Sequence, residues 1–200
     1  ERVVQLFQSH HDAEGECICR MELAEYYFST GQFKKSETEY RGILNKKQLD
    51  PFLTIVVMGY LIRVLSLCSK TSEADRFAKK AKDVLSEISD EISFKTGQAW
   101  IDVAKGFRAA FSGNYKEALH LGLNSKKLLA SVGQNNFLVS SYFLIAHACF
   151  YSGDFNRGVS VSQEGLKACK DKGGSYELYI LLRLWHARNL LELENPEPDM

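Results

Sequence analysis

The sequence predicts an all-α fold in which pairs of helices stack one after another into a solenoid. Three observations support this prediction. The 200-residue chain contains only three prolines, so it can be helical over most of its length. Apolar residues recur at steps of three and four positions, as they do on one face of a helix. No segment alternates apolar and polar residues in the way that a half-buried strand does.

A six-residue pattern recurs along the chain. Segments that begin at Gly31, Gly113 and Gly153 each read glycine, polar, aromatic, two polar residues and a small residue. The last two are 40 residues apart and the first two are 82 apart, which is two periods of 41. A degenerate copy is therefore expected midway between the first two, and it lies at 69–74, where Ser69 replaces the glycine. The chain is predicted to be a repeat protein.

Each repeat predicts two helices that meet at this turn. The helix before the turn is apolar around much of its girth, whereas the helix after it carries one apolar stripe. Because a single pair of helices cannot bury the apolar surfaces of both its helices, the pairs must stack on one another. The predicted first helices are 14–30, 51–68, 92–112 and 135–152, the second helices are 33–47, 72–88, 115–132 and 155–171, and the repeats are about 14–50, 51–90, 91–133 and 134–173.

The ends of several predicted helices carry start and stop residues. Asp50 before Pro51 predicts a helix start, with the aspartate as N-cap and the proline at the first helical position. Asp90 can cap a helix in the same way. The turn glycines fit the left-handed residue that ends a helix.

A further helix is predicted at 175–193. Ala187 lies 41 residues after Ala146, so the repeat register continues into it. This helix is apolar nearly all round, so we expect it either to be followed by another helix or to pack on another chain, which includes self-association. The helical-repeat domain is then 1–194, and residues 195–200 have the composition of a linker. The chain has no initiator methionine and no signal-peptide layout, so it is expected to be part of a longer protein.

The charge balance argues against nucleic acid and membrane partners. The 25 basic and 25 acidic residues give a net charge of zero, whereas phosphate binding needs a basic excess or face. No apolar run reaches the ~18 residues of a membrane span. Pairs of lysines are expected on the outer face of the second helices, interspersed with acids as a solvated face. They are Lys34 and Lys35, Lys46 and Lys47, Lys79 and Lys80, and Lys126 and Lys127.

The reactive residues do not form a recognisable catalytic or metal site. The five cysteines are odd in number and contain no C-x-x-C pair, which favours free thiols in a reducing, cytoplasmic setting. The densest reactive cluster is at 10–19, where Cys17 and Cys19 are two residues apart and so face in divergent directions on a helix. We expect a polar turn there, no metal or cofactor, and no enzyme activity, since no nucleophile–base set can be drawn.

The repeat resembles the tetratricopeptide repeat family. The turn Gly-x-aromatic-x-x-small is the centre of that family's motif. Seven residues before the turn glycine, the family has a small residue where helices cross, and here those residues are Ala24, Gly106 and Ala146. Tyr27 and Tyr40 also fit family positions, in the first repeat. The resemblance implies a right-handed α-α superhelix of four helix pairs and a C-terminal helix.

The resemblance covers about residues 14–192 and departs from the family in three respects. The period is about 40 residues, against about 34 in the family. Ile62 takes the small position of the second repeat, and the helix-ending proline is missing. Longer repeats of this kind resemble the sensor arms of signal-transduction ATPases and the scaffolds of cell-polarity and motor-adaptor proteins. The resemblance therefore implies a regulatory role.

The resemblance also implies a concave groove lined by the first helices. Residues at the groove positions are predominantly aromatic with isolated charges, and such residues are enriched at binding hot spots. No lysine is among them, unlike the carboxylate clamp of chaperone-tail binders. The implied partner-binding residues are Met21, Glu25, Phe28, Arg63, Trp100, Phe107, Phe111, Phe143, His147, Phe150, Tyr151 and Arg188.

Two functions remain open at this stage. The first is a non-catalytic scaffold that binds a peptide, a helix or a partner domain in the groove. The second is a regulatory or sensor domain of a larger signalling or transcription regulator that binds a small inducer or a sister domain. Aromatic residues at helical spacing also occur in cores, so Trp100 and Phe111 are expected either in the groove or between helices.

Overall fold

The computed structural model describes residues 2–10, 12–46, 49–172 and 176–194. These residues form ten helices and no strand, which confirms the predicted all-α fold. The chain divides into two compact units, unit 1 at 1–88 and unit 2 at 89–200. Unit 1 contains α1 (Arg2–Ser9), α2 (Ala13–Ser29), α3 (Phe33–Leu44), α4 (Pro51–Leu67) and α5 (Thr71–Leu85). Unit 2 contains α6 (Glu91–Phe111), α7 (Tyr115–Val132), α8 (Asn135–Tyr151), α9 (Phe155–Lys172) and α10 (Tyr176–Glu194).

The predicted helices occur at the predicted places, with two shortened ends and one addition. The α3 and α5 helices end three residues earlier than predicted, at Leu44 and Leu85. After Leu85 the backbone N–H groups of residues 86–88 bond to carbonyls three positions back, as in a tightened turn. Helix α1 precedes the repeats and was not predicted. The predicted linker at 195–200 and the pair Gly173–Gly174 lie outside the described residues.

The repeated turn has the same backbone conformation in all four copies. Gly31, Gly113 and Gly153 have φ angles of 73°, 78° and 75°, which confirms the predicted left-handed stop. Ser69 has a φ of 58° and is the non-glycine residue with positive φ among the described positions. The degenerate second repeat therefore keeps the turn geometry although it has lost the glycine.

The predicted helix starts are also confirmed. The Asp50 carboxylate accepts a hydrogen bond from the Leu53 N–H at 2.9 Å, with Pro51 at the first helical position. The Asp90 carboxylate accepts from the Ser93 N–H at 2.7 Å. These bonds satisfy donors that a helix N-terminus otherwise leaves unpaired.

Small residues let the helices of unit 2 stack closely. Each helix packs on the next, and α6 also packs on α8 and α8 on α10. A Cβ atom at Gly122 would lie 2.7 Å from Ile145, and one at Gly165 would lie 2.8 Å from the Cβ of Tyr142. Both distances are shorter than real contacts allow. The second helices therefore approach the first helices more closely than larger residues would permit.

The small positions implied for the first helices are also closely packed. Ala24 and Ala146 are fully buried, and a side chain at Gly106 would overlap a methyl group of Leu144. Ile62, at the same position in the second repeat, is fully buried as well. Ala187 differs, because it is exposed on α10 and no helix of the described residues covers it.

The strain at Ser69 predicts that Ser69→Gly stabilises the protein. A left-handed backbone costs a non-glycine residue about 1–2 kcal/mol, and glycine at position 69 would remove this cost. The greater freedom of glycine in the unfolded chain offsets part of the stability that is gained. We expect the free energy of unfolding to rise by about 0.5–1 kcal/mol in urea unfolding. The matched control is Gly31→Ser, since a Cβ there meets nothing within 4 Å, and it should destabilise by a similar amount. Two substitutions that change stability in the same direction would contradict this account.

Candidate functional site

Aromatic rings surround His147 in unit 2. The imidazole centre lies 4.7 Å from Trp185, 4.9 Å from Tyr151, 6.2 Å from Phe111 and 6.3 Å from Phe143. These rings come from α6, α8 and α10, which the close stacking of the helices places side by side. Ring pairs at such separations contribute a favourable interaction energy in addition to that from burial of their apolar area.

The ring contacts continue to both sides of His147. Phe107 lies 5.5 Å from Phe143, and Phe150 lies 5.4 Å from Trp185. We call this set the aromatic surface: Phe107, Phe111, Phe143, His147, Phe150, Tyr151 and Trp185. Its rim is open to solvent, since Phe111 is 39% exposed and Tyr151 is 46% exposed.

His147 is the polar residue at the centre of the aromatic surface. It is only 9% exposed, and its Nδ1 atom is buried without a hydrogen-bond partner. Burial lowers the pKa of His147 to about 4, and the positive charge of Arg188 adds to the shift. The imidazole is therefore neutral at physiological pH.

Arg188 lies at the α10 edge of the aromatic surface. Its guanidinium carbon is 4.7 Å from the ring centre of Phe150 and 4.8 Å from that of Trp185. Among the described residues, no carboxylate forms an ion pair with it. We call Arg188, its two rings and His147 the unit 2 arginine site.

Unit 1 contains a related arginine whose charge is neutralised within the chain. Arg63 on α4 donates to both carboxylate oxygens of Glu25 on α2, at 2.7 and 2.8 Å. Its guanidinium carbon lies 3.9 Å from the ring centre of Phe28 and 5.2 Å from that of Tyr60. We call these four residues the unit 1 arginine site. Burial alone would lower the pKa of Arg63, but the charge and hydrogen bond of Glu25, together with the nearby Tyr40 and Tyr60, raise that pKa.

Tyr40 completes the unit 1 network from α3. Its hydroxyl donates to the Glu25 carboxylate, and its ring stacks on Tyr60 at 5.7 Å. Burial, followed by the charge of Glu25, raises the pKa of Tyr40. The Glu25 carboxylate is thus bound by both Arg63 and Tyr40 and is not a free groove charge.

The residues that the family resemblance placed in one groove differ in their exposure. In unit 2, Phe111 and Tyr151 are exposed, whereas Phe143, Phe150 and Arg188 are half-buried. Trp100 and Phe107 are buried at 5% exposure each, and Trp100 packs edge-on against Phe137. Of the two residues whose place was left open, Trp100 therefore lies in the core and Phe111 does not. In unit 1, Met21, Glu25, Phe28 and Arg63 are half-buried.

Sequence reasoning missed two rings of this site. Trp185 contacts three members of the aromatic surface, and Tyr115 stacks on Tyr151 at 5.0 Å with an interplanar angle of 11°. Trp185 lies three residues before Arg188, as Tyr60 does before Arg63. Comparison of these two spacings would have indicated Trp185 as a member of the site.

Helix α10 leaves an apolar stripe exposed. Ile180, Leu184, Ala187 and Leu191 follow one another at steps of three and four residues and are all exposed. The opposite side of α10 is buried through Leu182, at 0% exposure. The helix that appeared apolar all round in the sequence is therefore covered on one side within the chain.

Within the segment at 10–19, Asp12, Glu16 and Cys17 have structural roles, and Asp12 caps α2. Glu16 pairs with Arg20 at 2.7 Å and with Lys46, and burial raises the pKa of the Cys17 thiol. Among the described residues, no three His, Cys, Asp or Glu side chains are grouped so that they could hold a metal ion. His11, part of the same segment, lies outside them. Within the described ranges, no helix is both long and apolar enough to cross a membrane.

The lysine pairs and thiols can be placed as well. Among the pairs, Lys34, Lys35, Lys79, Lys80 and Lys127 are exposed. Lys126 instead pairs with Glu164 at 2.5 Å, and Lys47 lies outside the described residues. All five cysteines are free thiols, and three of them are buried.

Comparison with known proteins identifies the fold as a tetratricopeptide-like helical repeat. No family model matches the chain, and no curated protein matches it. A solved structure with a similar fold is a Signal Transduction ATPase with Numerous Domains (STAND) protein with a tetratricopeptide repeat sensor from Pyrococcus horikoshii. The TM-score is 0.65 and the sequence identity 19%. The match covers 92% of this chain but 28% of that protein.

The buried neutral imidazole predicts a loss of stability at acidic pH. The unfolded chain takes up a proton at the ordinary histidine pKa of about 6.5, but folded His147 does so only near 4. Between these values the unfolded state binds more protons, so stability falls as the pH falls. We expect the wild type to lose about 2 kcal/mol more than His147→Phe between about pH 7 and pH 5, measured by urea unfolding. Equal losses in the two proteins would show that His147 is not buried in its neutral form.

Proposed function

We propose that this protein is a non-catalytic interaction module that binds a partner protein through the aromatic surface of unit 2. The observation that carries this proposal is a continuous set of ring contacts that reaches solvent at Phe111 and Tyr151. Exposed aromatic groups are costly to leave in water and are frequent at binding hot spots. A row of rings presented by successive helices suits an amphipathic helix or an extended peptide.

The surroundings of the aromatic surface favour binding over chemistry. The imidazole at its centre is neutral and lacks an orienting partner at Nδ1, whereas a general base is normally held by a second group. The rings also lie on helices that are fixed by close packing, so the surface is formed before a partner arrives. A preformed surface loses less conformational entropy on binding than a flexible one.

The double substitution Phe111→Ala with Tyr151→Ala tests this function. Both side chains are exposed, so their truncation should leave the fold intact. Truncation of the buried Trp100 or Phe107 would instead leave a cavity and destabilise the protein. Loss of two hot-spot rings should reduce partner capture about ten-fold or more. The measurement is affinity capture from the source organism with quantitative mass spectrometry, beside thermal unfolding of each variant.

The matched control for this test is Leu123→Ala. Leu123 is 40% exposed and lies on α7 of the same unit, outside the aromatic surface. The control should capture the same proteins as the wild type in the same amounts. If the double variant also captured them undiminished, binding through the aromatic surface would be refuted.

A sensor role within a larger regulator is the second candidate. It is favoured by the likeness to a protein that carries a tetratricopeptide repeat sensor, of which the chain covers 28%. In this case the aromatic surface binds a small inducer or a sister domain of the same polypeptide. The parent reading frame distinguishes the two functions, since a sensor role requires a nucleotide-binding or DNA-binding domain in the same chain. The free thiols suit the reducing cytoplasm for either role.

Self-association through α10 is compatible with either role. The exposed stripe of Ile180, Leu184, Ala187 and Leu191 has the spacing of a helix that packs on another helix. We expect light scattering to show a mass that rises with concentration, and Leu184→Glu with Leu191→Glu to return the protein to a monomer. A wild type that stays monomeric throughout a dilution series would contradict self-association.

A further inference from the structure

The two arginine sites occupy equivalent positions of the repeat. Phe28 lies three residues before Gly31, and Phe150 lies three residues before Gly153. The second ring of each site lies three residues before its arginine. In both sites the guanidinium carbon is within 5.2 Å of two ring centres. The repeat has therefore built the same arginine–aromatic arrangement twice.

The two sites differ in the identity of the second ring, Tyr60 or Trp185, which stays aromatic, and in the acidic residue. Glu25 and His147 each lie six residues before a turn glycine, so His147 stands where unit 1 has its carboxylate. Glu25 binds Arg63 through both oxygens. His147 brings no negative charge, and its Nδ1 atom has no hydrogen-bond partner. Among the described residues, the unit 2 site thus retains the cation and both rings without an anion paired to that cation.

We propose that the unit 2 arginine site binds the carboxylate of an acidic side chain in the partner protein, while an adjacent apolar side chain of that segment lies on Tyr151 and Phe111. The acid takes the role that Glu25 has in unit 1. This inference rests on the proposed function, because it names the chemistry that the same surface recognises.

The properties of Arg188 fit a carboxylate ligand. A guanidinium presents its N–H donors in a planar fork that matches the two oxygens of a carboxylate. The rings of Phe150 and Trp185 fix the plane of that fork and lower the local dielectric, which strengthens a charged hydrogen bond. Arg188 is half-buried, so part of its side chain is accessible from solvent. An acid beside an apolar group therefore complements both parts of the surface.

Matched probes test the preference for an acid. The peptide acetyl-Ala-Glu-Leu-Phe-amide is compared with its glutamine counterpart, and phenylacetate with phenylacetamide. Binding to the full chain is followed by NMR at the Arg188 Nε–H and the Trp185 indole N–H, up to about 10 mM, where even millimolar affinities are detected. We expect the glutamate peptide to bind about ten-fold more tightly than the glutamine peptide, since a charge-assisted hydrogen bond is stronger than a neutral one.

Four variants connect this preference to the site. Arg188→Gln should remove the difference between the two peptides, whereas Arg183→Gln, which removes the same charge from the same helix, should keep it. His147→Glu places a carboxylate where unit 1 has one, so it should pair with Arg188 and exclude the acidic peptide. The matched neutral variant His147→Gln should still bind that peptide.

Several results would overturn the proposal. They are equal affinity of the two peptides, absence of binding by all probes, or an acid preference that survives Arg188→Gln. Phenylacetate binding as tightly as the glutamate peptide would assign the site to a small carboxylate and overturn the peptide assignment. Failure of this proposal can be told from failure of the proposed function. Partner capture that depends on Phe111 and Tyr151 but not on Arg188 would refute recognition of a carboxylate and leave binding through the aromatic surface in place.

Discussion

The close approach of stacked helices at small residues is the constraint on which the rest of unit 2 depends. Glycines such as Gly122 and Gly165 sit where even one methyl group would collide with the neighbouring helix. Because the backbones approach so closely, α6, α8 and α10 lie within side-chain reach of one another. The aromatic rings of three helices, separated by about 40 residues in sequence, therefore form one continuous surface.

That packing also determines the electrostatics of the candidate site. Rings crowd His147 from three helices, so water is excluded and the imidazole stays neutral. In unit 1 the same repeat position carries Glu25, and the carboxylate is balanced by a cation and a tyrosine hydroxyl. The same repeat position thus gives a half-buried arginine two different surroundings, because its residue is an acid in unit 1 and a neutral histidine in unit 2.

The local features of the fold could be predicted from the sequence because each depends on neighbouring residues. The caps at Asp50 and Asp90 and the turns at Gly31, Gly113 and Gly153 are examples. Even Ser69 could be placed at the turn, since the period of the repeat located it. The exposure of individual rings could not be predicted in this way. Trp100 and Phe111 lie on one helix with similar hydrophobicity, yet Trp100 is buried and packs on Phe137 of α8, whereas Phe111 is 39% exposed.

The sequence by itself determined the helical repeat, its period and its turns, because these follow from spacing along the chain. The groove positions were implied by the resemblance to the tetratricopeptide repeat family. Only the tertiary structure decided which of those positions are buried, which are exposed and which are neutralised by an ion pair. Glu25 and Arg63 are 38 residues apart and neutralise each other, whereas Arg188 has rings but no acid among the described residues. Ion pairing and burial depend on distances between helices, and these distances are set by packing that no single segment encodes.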